Sequence, residues 1–159
     1  QIANGGHKIY PQIVVNNDIK NQPNDKYKKL YKSYKNIKII QDAMFGSTNE
    51  VMGTSYRSRI SDPKYQFAGK TGTAQVKKIT EKDRELDLKT FEIPYEERDH
   101  ALYIAFGPYK NPRYALSILV EHGGNGSTTA APMAKELFKL IIDRHSLRES
   151  IYNKRYLEI

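Results

Sequence analysis

The 159-residue sequence has no cysteine, which removes both a disulfide framework and any cysteine-based metal site from consideration. Apolar residues are sparse, at 38% of the chain, while charged residues reach 28%. That balance suits either a small domain with long polar loops or a piece of a larger one. No apolar run attains the length of a membrane span, and no signal peptide opens the chain. The sequence starts at Gln1, without Met, inside what reads as the end of an element. It is therefore expected to be a fragment. Acidic charge is also in short supply, with 18 Asp and Glu against 26 Lys and Arg, a net charge of +8.

A basic balance invites a nucleic-acid or anionic-membrane partner. Lys26, Lys28, Lys29, Lys32, Lys35 and Lys38 fall together, interleaved with Tyr27, Tyr31 and Tyr34. Aromatics among cations are the composition of a single-strand binder. However, Tyr27, Leu30, Tyr31, Tyr34 and Ile37 follow helical spacing, so the tyrosines read equally as the inner face of a basic amphipathic segment. No nucleic-acid motif accompanies the patch. A solvated charged face is the simpler reading, and no nucleic-acid partner is expected.

Residues 8–15 read as a short strand or extended arm, and 16–25, rich in Asn, Asp and Pro, as a loop. A helix is expected over about 34–52, with Ile37, Ile40, Ala43 or Met44, and Val51 inward, and with Gly46 as a possible break. Strands are expected over 65–76, 101–106 and 114–121, the last two joined by a turn short enough to force antiparallel pairing. Between the first two, 77–99 is a charged excursion. A helix near Pro132 is expected to turn Met133, Leu137, Leu140 and Ile141 toward the sheet. Residues 144–159 form a mixed-charge tail without an assigned role. The pattern describes an α+β fold, an antiparallel sheet with helices packed on its faces.

The first strand carries the unusual run Ala68-Gly69-Lys70-Thr71-Gly72-Thr73-Ala74-Gln75. Two Gly within a strand suggest close approach of something to its backbone. The residues beside them offer a cation, two hydroxyls and backbone N–H groups, a suitable seat for a carboxylate. A twisted strand with a solvated Lys would carry the same letters.

Lys70-Thr71-Gly72 resembles the K-T-G box of penicillin-recognising serine acyltransferases and β-lactamases. Ile2-Ala3-Asn4-Gly5-Gly6, the run from Ile40 to Met44, Ala68 to Gln75, Arg98-Asp99-His100, Ala105 to Tyr109 and Glu121-His122-Gly123-Gly124 stand in the order seen in class B penicillin-binding proteins. The likeness is to the C-terminal portion of an elongation-type transpeptidase domain and covers about residues 1–143. It implies that Thr71 and Thr73 hold a substrate carboxylate and that Lys70 supplies positive potential. It also implies that the Thr73 backbone N–H serves the oxyanion hole and that Gly72 leaves room for a peptide along the strand edge. Strict alternation sends Lys70 and Thr71 to opposite faces, so both serve one ligand only from a cleft along that edge.

The nucleophile is harder to find. Ser61-Asp62-Pro63-Lys64 matches S-x-x-K and Ser47-Thr48-Asn49 matches S-x-N. The first has Pro inside it and no room for a helix before the strand, and the second precedes it, inverting the family order. Both are rejected, which leaves no nucleophile in this chain and predicts that it is inactive alone. His100 and His122 have no i+4 partner for a metal site, and each is read as a structural residue. Gly123-Gly124-Asn125-Gly126 lacks the Lys of a P-loop and reads as a turn. Asp83 with Glu85, and Glu96 with Glu97, read as solvated pairs.

The resemblance implies a parent D,D-transpeptidase that cross-links peptidoglycan stem peptides through an acyl-serine and is blocked by β-lactams. It implies no metal or organic cofactor. It further implies a place on the outer face of the cytoplasmic membrane, and partners that include the upstream part of the same protein, the lipid-linked glycan polymerase and elongation scaffold proteins. The alternatives are a β-lactamase or β-lactam sensor, or a non-catalytic basic binding module for nucleic acid or anionic lipid.

Overall fold

The computed structural model describes residues 1–11, 27–78 and 88–157, with side chains as far as 148. The loop expected at 16–25, the far end of the arm at 12–15, Lys26, and the Asp83–Glu85 pair lie outside the described residues. Internal contacts divide the chain into two units, Gln1–Ala43 and Met44–Ile159.

In the first unit the chain turns tightly at its start. Gly5 and Gly6 both take positive φ, +82° and +84°, which a side chain would resist. Asn4 locks the turn, its Oδ1 accepting from the His7 backbone N–H and its Nδ2 donating to the His7 carbonyl, each at 3.0 Å. Residues 6–8 then pair antiparallel with 28–30 through the His7–Lys29 bridge, with Lys8 donating to Lys28 and Leu30 to Gly6. The Lys/Tyr stretch is therefore not one helical face. Helix α1 (Tyr34–Asn49) begins only at the third tyrosine, Tyr27 holds φ +66°, and the Tyr31 ring packs edge-on to His7 and Tyr34. The helix starts where it was expected, and the helical spacing of Tyr27, Leu30 and Tyr31 falls on non-helical backbone.

The second unit begins within α1, which passes through Gly46 without a break and ends at Asn49, short of the expected 52. Val51 is consequently outside the helix and 74% exposed rather than inward. The antiparallel sheet is three-stranded in the order β1 (Ala68–Ala74), β2 (His100–Gly107), β3 (Tyr114–Val120). Register pairs Lys70 with Ile104, Thr71 with Tyr103 and Gly72 with Leu102, and then Tyr103 with Ile118. β1 is shorter than the expected 65–76, because Tyr65 and Gln66 close a turn by donating to the Asp62 carbonyl.

Helix α2 (Ala131–Leu157) follows a π-helical turn, Gly126–Ala130, and runs through most of the expected tail. Its inner face is not the one expected. Met133, Leu137 and Leu140 are 46%, 39% and 64% exposed, whereas Ala131, Ala134, Phe138 and Ile142 are buried. Spacing by hydrophobicity alone favoured the larger residues. The helix instead turns its small ones to β2, where Ala101, Tyr103 and Ala105 already fill the space. Phe138 stacks on Phe67 at 4.8 Å and completes that core. The architecture is α+β, as expected, with one face of the sheet covered by α2.

Candidate active site

Lys70, Thr71, Gly72 and Thr73 all lie on β1, which pairs with β2 alone and forms one edge of the described sheet. Burial falls along the strand: Ala68 and Gly69 are buried, Lys70 and Thr73 exposed, Thr71 and Gly72 between. The unpaired edge of such a strand carries backbone N–H and C=O groups available to an added peptide. Alternation does start Lys70 and Thr71 on opposite faces. The Lys70 ammonium, however, folds back to donate to the Thr71 carbonyl at 2.8 Å. The cation therefore lies against the strand backbone, next to the Thr71 residue that alternation had separated from it.

Three features hold this strand in place, and sequence reasoning assigned a role to none of them. Asn49, at the end of α1, donates from Nδ2 to the Phe67 carbonyl at 2.9 Å, just before β1 begins. Tyr103, on β2, is fully buried, with its hydroxyl 2.9 Å from Thr48 Oγ1 and 3.1 Å from Ser55 Oγ. Burial pushes its phenol pKa up, and the bonds to Ser55 and Thr48 offset this in part. A Cβ on Gly69 would stand 2.2 Å from that hydroxyl, so only Gly fits. Farther along, a Cβ on Gly126 would meet the Gly72 and Leu102 carbonyl oxygens at 2.5 Å each. The stretch read as a plain turn therefore presses its backbone against Gly72, the last residue of the K-T-G box, and its β2 partner Leu102. Its other groups serve the turn, as Asn125 Oδ1 accepts from both the backbone N–H and Oγ of Ser127.

The rejected serines stand apart from this strand's chemistry. Ser61–Lys64 forms a bend and turn rather than a helix. The Lys64 ammonium donates to Asp143 at 3.0 Å and to the Tyr65 hydroxyl at 3.0 Å, and Tyr65 donates to the same carboxylate oxygen. The bonds to Tyr65 and Asp143 raise the Lys64 pKa, and those from Tyr65 and Lys64 lower that of Asp143. Ser47 lies within α1, and its hydroxyl is buried with no hydrogen-bond partner among the described residues.

The histidines are built into the backbone. The His122 N–H donates to His100 Nδ1 at 2.9 Å, and His122 Nδ1 lies 3.2 Å from the Arg98 carbonyl. This supports His122 in its left-handed conformation, φ +53°, beside the Tyr95 ring. Asp99 receives the Val76 N–H just beyond β1. Glu97 pairs with Lys77 at 2.7 Å, and Glu96 is exposed. Among the described residues no group of three His, Asp or Glu gathers in a way that could hold a metal, and no helix is long and apolar enough to cross a membrane.

The penicillin binding protein transpeptidase domain family matches residues 1–139. The chain belongs to that family. This transpeptidase-family chain is 37% identical over 105 residues to the peptidoglycan D,D-transpeptidase MrdA of Salmonella typhimurium, an alignment that covers 66% of this chain and 16% of that protein. With MrdA of Escherichia coli K12 it shares 33% over 112 residues, again 16% of the relative. The crystal structure of Pseudomonas aeruginosa PBP2 in complex with WCK 5153 superposes with a TM-score of 0.62 at 28% identity, over 87% of this chain and 27% of that one. The transpeptidase-family chain thus spans about a sixth of the length of these curated relatives.

Proposed function

We propose that this chain contributes the substrate-carboxylate seat of a peptidoglycan D,D-transpeptidase, the activity named for its relatives, and that the whole protein is of the elongation type. Thr71 and Thr73 hydroxyls bind the carboxylate of a stem peptide or β-lactam, and Lys70 supplies the positive charge. The Thr73 N–H contributes to the oxyanion hole, and Gly72 leaves the strand edge open to the peptide. The observation that carries this reading is the K-T-G box on an edge strand, with the Lys70 ammonium folded back onto the Thr71 carbonyl.

The nucleophile comes from outside these residues. Lys64 is engaged by Asp143 and Tyr65 and Ser47 is enclosed in α1, so neither of the chain's own partial matches forms a serine–lysine pair. The whole protein acts at the outer face of the cytoplasmic membrane, with the lipid-linked glycan polymerase and elongation scaffold proteins as partners. Relatives named as transpeptidases favour this over a β-lactamase or sensor, and the family membership displaces the basic-module alternative. The test is acylation by a fluorescent penicillin on a denaturing gel, for this chain beside the longer protein. Labelling of the longer protein alone is expected. Labelling of this chain that vanishes in Ser61→Ala or Ser47→Ala would overturn the assignment of the nucleophile.

A further inference from the structure

We infer that Tyr103 is a positioning residue for the carboxylate seat, its hydroxyl acting with Thr48 and Ser55 as a fixed stop under Gly69 that sets where Lys70 to Thr73 stand. The inference rests on the transpeptidase reading and deepens it.

Tyr103 pairs in register with Thr71, yet its ring runs diagonally beneath β1, so that the hydroxyl comes to rest under Gly69, the residue immediately before the box. The hydroxyl cannot retreat. Thr48 Oγ1 at 2.9 Å and Ser55 Oγ at 3.1 Å hold it, and all three residues are buried. Ser55 is itself tied to the Ser47 carbonyl through its backbone N–H at 2.9 Å and its hydroxyl at 3.0 Å. Phe67 meets the ring edge-on, with centroids 6.4 Å apart. The same last turn of α1 that anchors Tyr103 through Thr48 also binds the Phe67 carbonyl through Asn49. The run Ser47-Thr48-Asn49 thus braces the strand through Thr48 and Asn49.

A satisfied buried hydroxyl network has one low-energy arrangement, and breaking it leaves polar groups without partners. The stop is therefore rigid, and the strand must lie against it. Small displacements of a binding group have large effects on recognition, since a misplacement of about 1 Å can cost about 10²-fold.

The test uses the full-length protein and two acylating probes, a penicillin and the same penicillin with its carboxylate methylated. Acylation rate constants and Tm are measured for the wild type, Tyr103→Phe and Gly69→Ala. The expected result is that the carboxylate-over-ester preference of the wild type falls about tenfold in Gly69→Ala, equivalent to one charge-assisted hydrogen bond, and by a smaller factor in Tyr103→Phe. A merely structural role would slow both probes alike. Tyr103→Phe removes a single oxygen, so it carries the test if Gly69→Ala does not fold. An unchanged preference in Tyr103→Phe, with the wild type acylated normally, overturns this inference and leaves the transpeptidase reading standing. A wild type that shows no acylation, or no preference for the carboxylate, overturns that reading and this inference with it.

Discussion

Two lysines six residues apart invite the same interpretation and receive opposite surroundings. Lys64 ends a run whose letters match the serine–lysine box of the family, and Lys70 opens the K-T-G box. Lys64 sits in a turn closed by Asp62, with its ammonium held by Asp143 and Tyr65. Lys70 sits on an edge strand, and among the described residues its ammonium bonds only to the strand's own backbone. An ammonium satisfied by a carboxylate offers little to a ligand, whereas one resting on a backbone carbonyl keeps its full charge uncompensated. The letters of a motif identify a site only where the backbone presents them in the required form.

This contrast is sharpest under mutation of the two lysines. Lys70→Ala in the full-length protein is expected to reduce acylation by a carboxylate-bearing penicillin by about 10²–10³-fold, the range seen when a fixed electrostatic group is removed from an acyl-transfer site. Lys64→Ala and Ser61→Ala are expected to leave the rate constant at the wild-type value. Stopped-flow acylation measures all three, and a comparable loss in Lys64→Ala would restore the rejected box to the mechanism.

The next largest effect concerns the backing of the strand. Gly126→Ala would force a Cβ to within 2.5 Å of two carbonyl oxygens on β1 and β2. The expected cost is about 1–3 kcal/mol, the range of overpacking in a filled core, read as a lowered denaturant midpoint. Gly46→Ala meets only the flexible Glu50 carboxylate, at 3.0–3.3 Å, and should stabilise α1 by up to about 1 kcal/mol on helix propensity. If the two substitutions had equal effects, the close approach of the π-helical turn to the box would be wrong.

Much of this was legible in the sequence, and the failures have identifiable physical causes. The three strands and both helices follow from apolar runs and turn residues, since short connections leave little choice of pairing. The run Ala68–Gln75 stood out because two Gly within four residues weaken a strand interior and call for a reason. The inner face of α2 was not legible: Ala131 and Ala134 carry little hydrophobic signal, but they permit the closest packing on Tyr103 and Ala105. The bracing roles of Asn49, Thr48 and Ser55 were hidden as well. Each acts on a residue distant in sequence, as Asn49 does on Phe67 and Thr48 on Tyr103. The one available clue was Gly69, a second glycine that the box itself does not need.

The smallest effects lie in the pH dependence of stability, where the buried phenol and the exposed ion pair should again part company. Tyr103 has its folded pKa raised by burial, so the folded state retains the proton more strongly than the unfolded chain. The stability this represents is complete below the unfolded tyrosine value, about 10, and is lost as pH rises above it. Tyr103→Phe should therefore flatten the alkaline limb of a Tm-against-pH curve. It should also lower stability near neutrality by about 1 kcal/mol, because one buried hydrogen-bonded hydroxyl is removed and Thr48 and Ser55 are left to pair with each other, 3.4 Å apart. Asp143 behaves in the opposite sense. Its folded pKa is lowered by Tyr65 and Lys64, so its contribution is present above the unfolded carboxylate value and fades as pH falls through the lower folded one. Because that cluster is exposed, salt should erase much of the acid-limb difference between Asp143→Asn and wild type, while leaving the alkaline difference at Tyr103 in place. A salt-insensitive acid limb at Asp143 would mean that Lys64 is more deeply held than the geometry indicates.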